Sequence, residues 1–288
     1  MNDQNGGMGG KAVLITGGTS GIGKATAVAL AAMGANVVVG RNPERGEAAL
    51  EEIRAQSHSE SVELMLADLS VQSEISRVAE EFLERHDRLD VLVNNAGLVQ
   101  SERTETPDGI ETTLAINHLA PFLLTNLLLE LLEQSAPSRI ITVSSEAQRW
   151  GNMDFEDLQS RRTYRGFPVY GMTKLANIMF TYELAERLKR TGVSANCLHP
   201  GPVSTNFGKN NRGAMALFFR AAKPFMLSPE QGADTLIWLA SSPEVEGISG
   251  KYFSDRKEIE ARKVAYDPAA RRTLWKISED LTGLEVAA

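Results

Sequence analysis

The sequence predicts an α/β fold in which a mostly parallel sheet carries helices on both faces. Short apolar runs alternate with longer amphipathic segments along most of the chain, and glycine-rich or polar stretches follow the ends of the apolar runs. Strands that are apolar throughout are buried on both faces, which is typical of a parallel sheet. Right-handed crossovers make such a sheet doubly wound, so a ligand is expected beyond the carboxyl ends of the strands.

The predicted elements form one domain with a seven-stranded sheet. The strands, in chain order, are Lys11–Thr16, Ala35–Val39, Val62–Leu66, Leu89–Val93, Arg139–Val143, Val193–Leu198 and Lys251–Phe253. The helices are Gly21–Met33, Pro43–Gln56, Val71–Arg85, Gly109–Asn117, Pro121–Glu133, Val169–Arg190 and Ser228–Ala240. Residues 1–10 are polar and glycine-rich and do not resemble a signal peptide, so we predict a flexible tail before a single domain of residues 11–288.

Composition narrows the classes of function. The 288 residues include 30 Lys and Arg against 37 Asp and Glu, and this net charge of −7 argues against a nucleic-acid partner. One cysteine excludes an internal disulfide, and no group of ligand residues has metal-site spacing, so we predict no metal. The longest apolar stretch, Leu119–Leu132, is too short and too polar to span a bilayer. We therefore expect a cytoplasmic protein.

A glycine-rich loop at residues 16–23, with the sequence TGGTSGIG, follows the first predicted strand and opens the first helix. Glycines there allow a tight turn and a close approach of the backbone to a pyrophosphate, and the helix start offers unpaired N–H groups. We predict a dinucleotide site at this loop. The expected contacts come from Gly17, Thr19, Ser20, Gly21 and Ile22.

The residue after the second strand indicates which dinucleotide is bound. An acidic side chain there would bind a ribose 2′-hydroxyl, but this chain has Gly40 followed by Arg41. A guanidinium suits a 2′-phosphate, so we predict NADP(H) rather than NAD(H), the alternative being a solvent-exposed arginine.

Further cofactor contacts are predicted where the third and fourth strands end. Asp68 can accept a hydrogen bond from an adenine amino group, with Leu69 beside it, although a helix cap is the alternative for Asp68. In the run Asn94–Gly97, we predict cofactor contacts from Asn94, Ala96 and Gly97, because small residues there let the backbone approach a cofactor. A structural role, in which its amide ties neighbouring strands together, is the competing interpretation for Asn94.

A candidate acid/base pair lies on the long helix near residue 170. Tyr170 and Lys174 are four residues apart and so share one helix face. A nearby ammonium lowers the pKa of a phenol, which makes it usable as a general acid/base near neutral pH. Ser144 and Ser145 end the preceding strand, where a hydroxyl can hold a substrate oxygen.

These motifs together resemble the short-chain dehydrogenase/reductase family over about residues 11–253. The resemblance implies a Rossmann fold and a catalytic set in which Tyr170 is the acid/base and Ser145 orients the substrate oxygen. It further implies that Lys174 binds the nicotinamide ribose and lowers the pKa of Tyr170, and that Asn117 holds a water. The segment HPGPVST at 199–205 is expected to close over the nicotinamide through Pro200, Gly201, Val203 and Thr205.

A narrower resemblance concerns the substrate. The 25-residue spacing from Ser145 to Tyr170 and the segments around Thr106, Asn117, Ser228 and Pro243 are similar to retinol dehydrogenases and related carbonyl reductases. This similarity implies an NADP(H)-dependent oxidoreductase acting on lipophilic aldehydes, ketones or alcohols. A reductase of a bulky pigment or sterol and a non-catalytic NADP(H)-sensing protein are the alternatives.

The segment 206–228 is predicted to be a lid over the substrate. Its apolar and aromatic residues, mixed with arginine and lysine, favour a lipophilic substrate. An interfacial helix that touches a membrane is one alternative, and a lid packed on its own core or on a partner subunit is another. The family resemblance also implies a homodimer or homotetramer.

Overall fold

The computed structural model describes residues 7–34, 36–40, 43–203 and 226–284, and one sheet runs through them. Its strands are β1 (Val13–Thr16), β2 (Asn36–Gly40), β3 (Val62–Leu66), β4 (Val91–Asn94), β5 (Ser138–Val143), β6 (Val193–Leu198), β7 (Tyr252–Ser254) and β8 (Lys257–Glu258). Their order across the sheet is β3-β2-β1-β4-β5-β6-β7-β8. The strands pair in parallel from β3 to β7, and only β8 pairs antiparallel among the described strands.

The predicted fold class is therefore confirmed, whereas the predicted strand number is wrong. The described chain has eight strands instead of seven because Lys257–Glu258 turns back along β7. The turn consists of Asp255 and Arg256, both with positive φ. A two-residue strand of exposed charged side chains has no apolar run to reveal it in the sequence.

Helices cover both faces of this sheet. They are α1 (Gly21–Ala32), α2 (Pro43–Ser57), α3 (Gln72–Arg85), α4 (Thr112–Leu114), α5 (Ala120–Leu127), α6 (Leu129–Gln134), α7 (Gly166–Arg187), α8 (Pro229–Ser241) and α9 (Pro268–Thr282). A π-helical segment, Ala115–Leu119, joins α4 to α5, and 3-10 helices occupy Glu146–Trp150, Pro243–Val245 and Lys263–Tyr266. Among the described helices, none is long and apolar enough to cross a membrane.

Three stretches differ from the helices predicted by sequence. The predicted helix Gly109–Asn117 starts only at Thr112, where the Glu111 carboxylate accepts the backbone N–H groups of Thr113 and Leu114. The predicted helix Pro121–Glu133 is two helices that break at Leu128. Helix α9 was not predicted, although Asp267 caps its first turn and Gly283 ends it.

The two faces of β1 show how the core is divided. Leu14 packs with α3 and α5 residues in one apolar cluster, whereas Val13 and Ile15 pack with α1 and α8 residues in another. A third cluster lies between α7, the π-helical segment and α9. Because both faces of the sheet are buried, the carboxyl ends of its parallel strands are where polar groups meet.

Packed structure begins before residue 11. Met8 is only 1% exposed, belongs to the apolar cluster on the α1 side and forms a bridge with Gly34. The prediction that residues 1–10 form a flexible tail is thus wrong at Met8. The side chain of Met8 is buried in an apolar cluster, which the polar and glycine-rich composition of this stretch does not indicate. Residues 1–6 lie outside the described part of the chain.

Candidate active site

The glycine-rich loop is fastened to the end of β4. Thr16 Oγ1 accepts the backbone N–H groups of Asn95 at 3.0 Å and Ala96 at 3.1 Å. In return, Asn95 Nδ2 donates to the Thr16 carbonyl at 2.9 Å. Gly17 has a φ of +67°, and a Cβ there would come 3.0 Å from Ala96 Cα. The loop therefore needs glycine both for its conformation and for its contact with β4.

The start of α1 fits a dinucleotide phosphate. A Cβ on Gly23 would lie 2.3 Å from the Gly17 carbonyl oxygen, so the helix start packs directly on the loop. Ser20 is the N-cap residue, but its side chain makes no capping hydrogen bond. The first N–H groups of a helix, here around Gly21 and Ile22, have no partner within the helix, and a phosphate is a ligand that such a helix start prefers. Thr19 lies in the same turn.

Asp68 forms a turn and does not cap α3. Its Oδ1 accepts the backbone N–H of Ser70 at 3.0 Å and the Ser70 hydroxyl at 2.7 Å. The first residue of α3, Gln72, is instead capped from a distance by the Asp108 carboxylate, at 2.9 Å. Leu69 is partly buried against the apolar core. The adenine contact of Asp68 and Leu69 stays a prediction.

The end of β4 lies beside the acid/base helix. Asn94 is buried and donates to Thr125 Oγ1 at 2.9 Å, which agrees with a structural role. A Cβ on Gly97 would come 3.3 Å from both Asn117 Oδ1 and Lys174 Nζ. Glycine at this position therefore keeps the space in front of these two side chains open.

Asn117 is buried in the π-helical segment and binds the loop after β4. Its Oδ1 accepts the Leu98 N–H at 2.8 Å, and its Nδ2 donates to the Leu98 carbonyl at 2.9 Å and to Thr173 Oγ1 at 3.0 Å. Both N–H bonds of the amide are thus occupied. The side chain holds the β4 loop to α7, and the water-holding role stays a prediction.

Ser144 and Ser145 make different contacts. Ser144 is buried, and its hydroxyl donates to the Lys174 carbonyl at 2.7 Å. Ser145 accepts the Ala147 N–H at 3.1 Å and shares a hydrogen bond with the phenol of Tyr170. Of the two serines, the one predicted from sequence is therefore the one beside Tyr170.

Two glycines bring these elements together. Gly151 ends the 3-10 helix that follows Ser145, and Gly171 comes directly after Tyr170 on α7. A Cβ on Gly151 would lie 2.4 Å from the Gly171 carbonyl group, and a Cβ on Gly171 would lie 2.5 Å from the Ala147 carbonyl oxygen. The main chain of the segment after Ser145 therefore packs directly on the main chain of α7 beside Tyr170.

Tyr170 and Lys174 share one helix face, as predicted, but the phenol pKa moves in the opposite direction. Burial raises the pKa of Tyr170 to about 12, against a smaller lowering by the hydrogen bond with Ser145. Burial also lowers the pKa of Lys174 to about 8. The Lys174 ammonium donates to the Val143 carbonyl at 2.9 Å and lies 5.7 Å from the centre of the Tyr170 ring. At that distance it does not offset the burial of the phenol.

The turn after β6 leads from the site towards α8. Pro200 begins it, Gly201 has a φ of +74°, and Val203 forms a bridge with Leu227. A Cβ on Gly232 of α8 would come 2.4 Å from a Val203 methyl, so this side chain packs closely on that helix. Arg41, Thr205 and nearly all of the predicted lid, residues 206–225, lie outside the described residues.

A row of aromatic rings runs from the surface to Tyr170. Trp150 is 59% exposed and its ring centre is 5.6 Å from that of Phe167, which is 38% exposed. Phe167 is in turn 6.3 Å from Tyr170. Buried apolar side chains, Val99 and Ala147, flank the phenol. The phenol is thus approached across an apolar surface.

Three site features escaped sequence analysis. The Val143 carbonyl and the Thr173 hydroxyl hold Lys174 and Asn117, but a backbone carbonyl carries no signal in a sequence. Thr16 starts the glycine-rich loop, and the sequence does not indicate that its hydroxyl fastens the loop to the end of β4. Within the described ranges, no three His, Cys, Asp or Glu side chains are arranged to hold a metal ion.

Sequence comparison places these features in a family. The model of the short chain dehydrogenase family matches residues 11–216. Retinol dehydrogenase 14 of Homo sapiens is 45% identical, over 96% of this chain and 88% of that protein. Retinol dehydrogenase 12 of Mus musculus is 42% identical, over 96% of this chain and 87% of that protein.

Solved structures of other proteins share this fold. A Mycobacterium paratuberculosis protein has a TM-score of 0.79 and 30% identity, covering 98% of this chain and 96% of that one. A Burkholderia cenocepacia short chain dehydrogenase in complex with NADP has a TM-score of 0.68 and 26% identity, covering 86% and 96%. The doubly wound sheet, the glycine loop, the buried Tyr170 and Lys174 and these matches together show that the chain belongs to the short-chain dehydrogenase/reductase family, resembles retinol dehydrogenases, and is an NAD(P)-dependent oxidoreductase acting on CH–OH and C=O groups.

Proposed function

We propose that the chain is an NADP(H)-dependent reductase of lipophilic aldehydes and ketones that also oxidises the corresponding alcohols. The observation that carries this proposal is the position of the Tyr170 phenol. It is buried, hydrogen-bonded to Ser145, and lies at the inner end of the aromatic row formed by Trp150 and Phe167.

The chemistry follows from the protonation states of the buried groups. With a pKa near 12, Tyr170 is neutral at pH 7 and can donate its proton to a carbonyl oxygen. A bound nicotinamide supplies the hydride. The Ser145 hydroxyl orients the same oxygen as negative charge develops on it. Lys174, largely protonated at pH 7, stabilises the phenolate that remains after proton transfer.

The direction of reaction is supported by the same groups. Carbonyl reduction starts from the neutral phenol, whereas alcohol oxidation starts from the phenolate. Because burial keeps Tyr170 neutral, carbonyl reduction is favoured at neutral pH, and the rate of alcohol oxidation is expected to increase as the pH rises.

A lipophilic substrate is supported by two independent observations. The exposed aromatic rings of Trp150 and Phe167 offer an apolar approach to the phenol. The relatives named above are retinol dehydrogenases, and retinol is a lipophilic alcohol. The proposal therefore extends to aldehydes with long or aromatic apolar chains.

Replacement of Tyr170 by Phe tests the chemistry. We expect kcat for retinal reduction with NADPH to fall by about 10²–10⁴-fold, because the proton donor is lost. Tyr164→Phe is the matched control. Burial raises the pKa of Tyr164 to about 12 as well, but its hydroxyl contacts Thr113, Gln100 and Glu111 and not the proposed catalytic groups. Unchanged turnover in Tyr170→Phe would exclude the assigned role. Cofactor binding without turnover in the unaltered protein would favour a sensor.

Arg41 supports NADP(H) over NAD(H), together with the neighbour solved with NADP. We expect tryptophan-quenching titrations to show NADPH bound at least about tenfold more tightly than NADH, because a guanidinium pairs with the 2′-phosphate. Arg41→Gln should weaken NADPH binding and leave NADH binding unchanged. Equal affinities in the unaltered protein would contradict the assignment.

A further inference from the structure

His199 follows β6 directly, and its ring contacts two different parts of the site. Its Nε2 lies 3.3 Å from Glu146 Oε2, and its Nδ1 accepts the backbone N–H of Gly201 at 3.2 Å. Its own backbone N–H donates to the Phe253 carbonyl at 3.0 Å. The imidazole is largely buried, with 13% of the side chain exposed.

These contacts select one state of the ring. A backbone N–H only donates and a carboxylate only accepts, so Nδ1 must carry the lone pair and Nε2 the proton. The other neutral tautomer would satisfy neither partner. Protonation at Nδ1 would remove the hydrogen bond from Gly201 while keeping the contact with Glu146.

The two partners belong to different segments of the site. Glu146 is the residue after Ser145 and begins the 3-10 helix. Gly201 is the positive-φ residue of the turn that leads to Val203. The imidazole therefore bridges the segment that carries the substrate-orienting serine and the turn expected to close over the nicotinamide.

We propose that His199 is a positioning residue that holds the turn Pro200–Val203 against the Ser145 segment, and that it does so only as the neutral Nε2–H imidazole. The hydrogen bond that Nδ1 accepts from Gly201 fixes the turn, and the close contact of Nε2 with the Glu146 carboxylate orients the ring. The effect on cofactor binding rests on the proposed function, because it assumes that this turn contacts NADP(H).

The surroundings favour the neutral ring. Burial lowers the pKa of His199, and Arg149 lowers it further, whereas the carboxylates of Glu146 and Asp255 raise it. Arg149 and Glu146 lie on the 3-10 helix and are themselves paired. Tyr252 of β7 packs on the ring at 5.7 Å between centres. Acidification is thus expected to release the turn.

Nitrogen NMR of histidine-labelled protein tests the state of the ring without any cofactor. Only four histidines are present, and the fully buried His118 is an internal reference. We expect the Nε2–H tautomer at pH 7.5, a lowered pKa of His199 in Glu146→Gln and a raised pKa in Arg149→Gln. An Nδ1–H tautomer, or a pKa that neither substitution moves, would overturn the proposal.

A pair of replacements tests which bond matters for binding. The oxygen of Asn at position 199 can replace Nδ1 as the acceptor for Gly201, whereas the amide of Gln can replace only the contact of Nε2 with Glu146. We expect His199→Asn to bind NADPH as the unaltered protein does at pH 7.5, and His199→Gln to bind about tenfold more weakly.

The pH dependence separates positioning from packing. Affinity of the unaltered protein for NADPH should fall with acidification more steeply than that of His199→Asn, which retains any titration belonging to the cofactor itself. Parallel pH profiles for the two proteins, or equal losses in the Asn and Gln variants, would contradict the positioning role. Absence of NADPH binding in the unaltered protein would refute the proposed function while leaving the NMR result interpretable.

Discussion

The neighbouring serines at the end of β5 make different contacts although they are one residue apart. Ser144 faces into the protein and ties the main chain of α7 to β5 through the Lys174 carbonyl. Ser145 faces the phenol. Alternation of side chains at the end of a strand sends adjacent hydroxyls in opposite directions.

This difference predicts opposite effects of two alanine substitutions. Ser145→Ala should lower kcat by about 10²–10³-fold with little change in stability, because it removes the group that orients the substrate oxygen. Ser144→Ala should lower the free energy of unfolding by about 0.5–1.5 kcal/mol, because the buried Lys174 carbonyl loses one hydrogen-bond donor and keeps the donor within α7. Steady-state kinetics and urea unfolding of both variants measure the two effects. Similar kinetic losses in both would argue against Ser145 as the orienting residue.

At the scale of elements, the contact between the glycine loop and α1 holds the cofactor site together. Gly23 presses on the Gly17 carbonyl, and Asn95 fastens the same loop to β4. A main-chain carbonyl cannot move aside as a flexible side chain can.

Gly23→Ala is therefore expected to destabilise the protein by about 1–3 kcal/mol and to weaken NADPH binding by at least about tenfold. Gly9→Ala is the matched control, because a Cβ there meets no atom within 4 Å. Gly9→Ala should have the same melting temperature in thermal unfolding and the same affinity in NADPH titration as the unaltered protein. Normal cofactor affinity in Gly23→Ala would mean that the loop does not contact the phosphates.

Elements with a strong local pattern were predictable, and elements that depend on distant contacts were not. β3 and β6 have the predicted bounds, because each is a short run bounded by polar or turn residues. The π-helical widening at Ala115–Leu119 and the break at Leu128 carry no comparable pattern. The shared helix face of Tyr170 and Lys174 was predictable from their four-residue spacing, whereas the raised pKa of Tyr170 depends on burial that only the fold reveals.

At the scale of the whole molecule, helix α9 closes the fold over the catalytic helix. His118 Nε2 lies 2.9 Å from Ser278 Oγ on α9, and its Nδ1 lies 3.4 Å from Asn177 Oδ1 on α7. Arg187 of α7 stacks on Trp275 of α9, 4.0 Å from the ring centre. The buried His118, which follows Asn117 in the chain, thus lies between α9 and α7 and contacts both helices.

Acid should weaken the fold through this histidine. Burial lowers the pKa of His118 to about 4, so between the ordinary value of 6.5 and 4 the unfolded chain binds more protons than the folded protein. Stability therefore falls as the pH falls through this window, by about 3 kcal/mol for this group.

Urea unfolding at pH 7.5 and pH 4.5 measures this loss. His118→Phe should reduce the difference between the two pH values, because an apolar ring cannot take up a proton. His58→Asn should leave the difference unchanged, since His58 is exposed and its positive φ suits asparagine. A difference that persists in full in His118→Phe would assign the acid sensitivity to other groups.

The contact between Gly151 and Gly171 has a consequence for how such a protein can change during evolution. Main chain touches main chain between the segment that follows Ser145 and the helix that carries Tyr170. The spacing of the proposed proton donor and the proposed orienting hydroxyl is therefore expected not to depend on the side chains that line the approach to the phenol. Exchanges at Trp150 or Phe167 can therefore redirect substrate choice while the proton-transfer machinery is inherited intact. Proteins that share this contact can therefore diverge in substrate specificity while they keep the same reaction.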